Sequence, residues 1–129
     1  MIEAEGKLAG ADSEPRSGPA AGVIDRIHLA RMTLGDKTLE AEVLALFDRQ
    51  AGHILAQIGR ASGPSAALLA HTLAGCARAI GAWKVAAAAE MVGAASRDLG
   101  RAALAGAVDE LAAAVREAQG RIAKLIGAR

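Results

Sequence analysis

Apolar residues recur along most of this chain at steps of three and four, the signature of helices that bury one face. Val23, Ile24, Ile27 and Met32 outline a short amphipathic helix that ends near Gly35. Asp36 then has the character of an N-cap, followed by Leu39, Val43, Leu46, Phe47, Ile54 and Ile58, which predicts a second helix to about residue 60. Gly63 and Pro64 break that helix, and Ser62 before the proline starts a third. The third carries Leu69, Leu73, Cys76 and Ile80 on one side and stops near Gly81. A fourth is expected from about Trp83 to Asp98, with Gly100 beyond it. In the fifth, Leu104, Val108, Leu111, Val115, Ala118, Ile122 and Leu125 alternate at steps of four and three, a heptad seam suited to bundle packing.

Composition agrees with this pattern. Thirty-four of the 129 residues are alanine, the best helix former, while tyrosine is absent and Phe47 and Trp83 are the only aromatics. The expected fold class is all-α, an antiparallel four-helix bundle with a short extra N-terminal helix. Residues 1–22 mix Gly6, Gly10, Gly18, Pro15 and Pro19 with charges and show no apolar period. They are expected to form a disordered leader to a single helical domain over residues 23–129.

Charge and cysteine content narrow the functional classes. Fifteen basic against fourteen acidic residues leave +1, without the electrostatic footprint of nucleic-acid binding. Cys76 is the only cysteine, so neither an internal disulfide nor a zinc site of paired cysteines is available. Charges at Glu3, Glu5, Lys7 and Asp12 interrupt any apolar core of a signal peptide, and no stretch approaches the roughly 20 apolar residues of a membrane span. A cytoplasmic location, with no membrane partner, is the expectation. Gly-rich phosphate loops, kinase nucleotide-binding sets and His-Glu-x-x-His are all absent.

Three histidines remain to be weighed. His28 stands beside Arg26 and Arg31, and His53 among Arg49, Gln50 and Gln57, so both are expected at the surface. His71 differs. At about 100° per residue, Ala67, Ala74, Gly75 and Arg78 cluster within roughly 60° of it, opposite Leu69, Leu73, Cys76 and Ile80. The helix is thus expected to point His71 outward among residues with almost no side chain, with Leu68 the one large apolar neighbour. Gly75 costs about 1 kcal/mol relative to alanine inside a helix; one turn beyond His71 it either clears room for a docking partner or is one of fifteen glycines scattered through the chain with no role of its own. Cys76 reads as a packing residue, and Trp83 as a packing anchor or, alternatively, an interface contact. Asp25, Asp36, Asp48, Glu40 and Glu42 read as solvated faces, and Glu90 as a buried or boundary carboxylate.

The run His71-Thr72-Leu73-Ala74-Gly75-Cys76-Ala77-Arg78-Ala79-Ile80-Gly81-Ala82 resembles the signature of histidine-containing phosphotransfer (HPt) domains, His-x-Leu-Lys-Gly-Ser/Ala followed by an aliphatic residue and Gly-Ala. The resemblance extends from Leu34-Gly35-Asp36-Lys37-Thr38-Leu39 and Leu46-Phe47-Asp48 to the alanine-rich fourth helix, over roughly residues 24–126. It implies a four-helix bundle in which His71 accepts a phosphoryl group from a sensor or hybrid histidine kinase, or from a receiver-domain aspartate, and passes it to a response-regulator aspartate. It implies no resident cofactor, with Mg²⁺ held by the partner receiver. One position departs from the family: Ala74 stands where a lysine usually neutralises phosphoryl oxygens. Arg78 is the expected substitute, with Lys84 and Arg97 on the next helix as further candidates. The alternative is a helical interaction module that binds a receiver or kinase without phosphotransfer.

Overall fold

The computed structural model describes residues 22–98 and 100–127, so the expected leader over residues 1–22 lies, apart from Gly22, outside the described residues. Among these the fold is entirely helical. Five helices follow in order: α1 (Arg26–Met32), α2 (Lys37–Arg60), α3 (Gly63–Ile80), α4 (Trp83–Asp98) and α5 (Gly100–Gly127). The end signals in the sequence account for the boundaries. Asp36 caps α2, its Oδ1 accepting the Leu39 N–H at 3.0 Å. Pro64 sits in the first turn of α3 behind Ser62, whose hydroxyl makes no capping bond. Gly81 ends α3 at φ 80°, where its N–H donates to the carbonyls of Ala77 and Arg78.

The four long helices close a ring of contacts: α2 on α3, α3 on α4, α4 on α5 and α5 on α2. The short α1 packs against α3. In α2 the buried stripe runs Glu40, Leu44, Phe47, Ala51, Ile54, Ile58. Leu39 and Leu46, expected inside, belong to a neighbouring stripe and are exposed. Glu40, expected in solvent, occupies the first position of the buried stripe, one turn before Leu44, and its carboxylate lies 4.0 Å from the Lys37 ammonium. On α5 the heptad seam buries Leu111, Val115, Ala118 and Ile122, with Leu104, Val108 and Leu125 half-buried against the core.

The contact of α3 with α4 is the most extensive in the ring. Buried alanines dominate both helices: Ala66, Ala70, Ala74 and Ala77 on α3, Ala86 and Ala89 on α4. A buried methyl contributes little transfer free energy, but it lets two helices approach at the short end of the packing range. Gly63 shows how close they come: a Cβ there would lie 3.2 Å from the carbonyl oxygen of Ser96, near the far end of α4. With a two-residue turn joining Ile80 to Trp83, α3 and α4 therefore run side by side in opposite senses.

That turn is clamped by α1. Asp25 is fully buried, against the expectation of a solvated carboxylate. Its Oδ1 accepts the His28 N–H at 3.0 Å as the cap of α1, and its Oδ2 accepts the Trp83 indole N–H at 2.8 Å. Its own N–H donates to the Gly81 carbonyl at 2.9 Å. The imidazole of His28 lies against Trp83 with ring centroids 4.9 Å apart, so His28 is half-buried rather than a surface residue. Trp83 is a packing anchor at this turn, and a buried carboxyl is tolerated beside it because each oxygen finds a donor.

Gly81 cannot be replaced without disturbing this clamp. A Cβ there would lie 2.7 Å from the Asp25 Cβ, in a left-handed conformation that side chains avoid. Gly81→Ala is expected to destabilise the fold by about 2 kcal/mol or more. Trp83→Phe, which keeps a ring and removes the donor, should cost about 1–3 kcal/mol. Urea denaturation measures both, and wild-type midpoints for the two variants would contradict the clamp.

Candidate functional site

His71 stands on the exposed side of α3, midway along it. The buried positions Ala66, Ala70, Leu73, Ala74, Ala77 and Ile80 turn the imidazole toward solvent. Around it Leu68 is 68% exposed, Gly75 and Arg78 are exposed, and the Thr72 hydroxyl donates to the Leu68 carbonyl at 3.2 Å. A Cβ on Gly75 would meet nothing within 4 Å, so this side of His71 is open.

The other side is closed by α4. His71 lies in a cleft of about 270 Å³ lined by Ala67 and His71 of α3 and by Ala89, Glu90, Gly93 and Arg97 of α4. Gly93 is mid-helix and buried, and a Cβ there would stand 3.6 Å from Nη1 of Arg97. The guanidinium therefore folds back one turn over Gly93, toward the level of His71. Helical side chains lean toward the N-terminus of their own helix, so in two oppositely directed helices His71 and Arg97 lean past each other into the same space.

Four expected supporting residues are re-sorted by this geometry. Ala74 does not flank His71 in solvent: it is buried at 1% exposure. It lies about 60° around α3 from His71, toward α4, and the alanine seam brings α4 near enough to cover it. Arg78 remains exposed on the His71 side but is not a free cation, because its Nη2 is ion-paired with Oε2 of Glu90. Lys84 faces away from His71. Its Nζ pairs with Glu117 of α5 at 3.1 Å, beside a separate cleft between α4 and α5. Arg97 is the candidate cation that lines the cleft, and it has no ion-pair partner among the described residues.

Glu90 and Gly93 were missed as site residues. Reflecting α3 through its short turn with α4 pairs position 71 with about position 92, which is the arithmetic that would have found them. Cys76 is half-buried and packs against the core, its Sγ 3.9 Å from Oε1 of Gln50. His53 is exposed on α2, away from the cleft. Among the described residues no group of three or more His, Cys, Asp or Glu is placed to hold a metal ion, and no helix is long and apolar enough to cross a membrane. Comparison of the chain with protein-family models, curated proteins and solved structures finds no match.

The burial contrast along α3 has direct consequences. His71→Gln should change stability by less than about 0.5 kcal/mol, as exposed substitutions usually do. Ala74→Lys should destabilise by about 2 kcal/mol or more, because it forces an ammonium and its stem into a methyl-sized space. Thermal unfolding followed by circular dichroism separates the two. A neutral Ala74→Lys, or a large loss in His71→Gln, would invert the assignment of the two faces.

Proposed function

We propose that this chain is a phosphorelay carrier, an antiparallel four-helix bundle with an extra N-terminal helix that holds a phosphoryl group on His71. The observation that carries this reading is the cleft itself: an exposed imidazole, open on the Gly75 side, with the Arg97 guanidinium beside Gly93 lining the same cleft. The likeness of the His71–Ala82 run to the HPt signature points the same way.

The chemistry asked of the chain is small. An unprotonated ring nitrogen of His71 attacks the phosphorus of a partner's aspartyl phosphate. The N–P bond forms as the P–O bond to the aspartate breaks, and the carboxylate leaves with the electron pair. The proton on the second ring nitrogen stays with the ring, so the adduct is a phosphoimidazolium with a dianionic phosphoryl group. The reverse step loads the next receiver. Mg²⁺ and most of the charge stabilisation belong to the receiver in this scheme. Arg97 takes the part of the lysine lacking at Ala74, binding phosphoryl oxygens by charge-assisted hydrogen bonds. The partners are a sensor or hybrid histidine kinase and a response-regulator receiver domain, approaching over Leu68 and Gly75, in the cytoplasm.

A second reading has one observation in its favour. The position of the family lysine is a buried alanine, which suits a helical module that binds a receiver or kinase and moves no phosphate.

Incubation with a receiver phosphorylated by acetyl phosphate and Mg²⁺ distinguishes the two. The relay reading predicts a mass increase of one phosphoryl group on the chain, labile to acid, stable to base and lost in His71→Gln. Arg97→Ala should slow transfer about threefold or more, a modest effect because the cleft is open to solvent. Absence of label from every receiver and kinase of the same organism would leave the binding module.

A further inference from the structure

Glu90 serves two neighbours at once. It lines the cleft of His71 from α4, and its Oε2 is paired with Nη2 of Arg78, which returns to α3 on the His71 side. Both partners are well exposed, at 43% for Arg78 and 58% for Glu90, so the pair is free to rearrange. Arg78 lies two turns beyond His71 and about 20° around the helix, and its side chain leans back toward the N-terminus of α3, the direction in which His71 lies.

We propose that the Arg78–Glu90 pair is a charge gate on phosphoryl loading, in which Glu90 opposes the phosphorylated state and Arg78 relieves it. This rests on the relay reading of His71. In the resting protein the Glu90 charge is compensated by Arg78. Phosphorylation places a dianionic group in the same cleft of about 270 Å³, so phosphoryl oxygens and the Glu90 carboxylate become like-charged neighbours competing for one guanidinium. Arg97 lines the same cleft and contributes a counter-charge to both states. The gate sets how readily His71 keeps a phosphoryl group and how readily it gives it up, the property that fixes the direction of a relay.

The chain of 129 residues loaded by phosphoramidate tests this without a partner. The P–N bond of the donor breaks, ammonia leaves, and the new N–P bond forms on His71. At a fixed ratio of phosphoramidate to ammonium and fixed ionic strength, the phosphorylated fraction gives a loading equilibrium constant. Glu90→Gln should raise that constant about two- to fivefold, the range of an exposed ion pair, and Arg78→Ala should lower it by a similar factor. The double variant should fall between the two single variants, and every difference should shrink as salt is raised. Both substitutions are at the surface, and circular dichroism checks that the helices persist. A Glu90→Gln constant equal to or below that of the wild type overturns the gate while leaving the relay reading intact. Failure of the wild type and Glu90→Gln alike to take any label on His71 overturns both.

Discussion

The close approach of α3 and α4 is the constraint on which the rest depends. Alanines at 66, 70, 74 and 77 of α3 and at 86 and 89 of α4 leave nothing but methyl groups buried on these helices at those positions. Larger residues would push the helices apart, and His71 would then lie on an open helix face with no wall beside it. With the methyl seam in place, His71 is at once exposed to solvent and flanked by Glu90, Gly93 and Arg97. The burial of Ala74 follows from the same seam, and so does the loss of any room for a lysine there. In the proposed relay, the cation beside His71 is Arg97 of α4, or Arg78 drawn from its ion pair with Glu90.

An alanine seam is weak glue, since each buried methyl contributes far less than a leucine. The end of the α3–α4 hairpin is held by other means. Asp25 ties α1, the turn and α4 together through one carboxyl and one amide: it caps α1, accepts the Trp83 indole N–H and donates its own N–H to the Gly81 carbonyl. Directional bonds to a buried carboxyl fix the angle at which α4 leaves the turn, which the small side chains of the seam cannot do by shape alone. The larger apolar residues, Leu44, Phe47, Leu73, Leu111 and Ile122, fill the middle of the ring and supply the bulk of the hydrophobic burial.

Much of this was legible in the sequence, and the failures have a common cause. Helix ends announced themselves through local chemistry: Asp36, Pro64 and Gly81 act within one turn, and the helices start and stop beside them. The outward direction of His71 followed from the pitch of α3. What went wrong required a neighbour in space. Leu39 and Leu46 form an apolar stripe as convincing as the true one, and only packing against α3 and α5 selects Leu44 and Ala51 instead. Asp25, Glu40 and His28 look like surface residues by type, yet each is covered by residues elsewhere in the fold or by its place on a buried stripe. Arg78 was a free cation on the helical wheel until Glu90 approached from the next helix.

The most direct test of the account is where the phosphorus goes and what it touches. Phosphorus–proton correlation NMR on the phosphoramidate-loaded chain should join the phosphorus to ring protons of His71. Amide spectra of the same sample should show the largest displacements at Gly75 on α3 and at Gly93 and Arg97 on α4, with the surroundings of His53 unmoved. Correlation to His53 or His28, or an α4 indifferent to phosphorylation of His71, would contradict the cleft as the site.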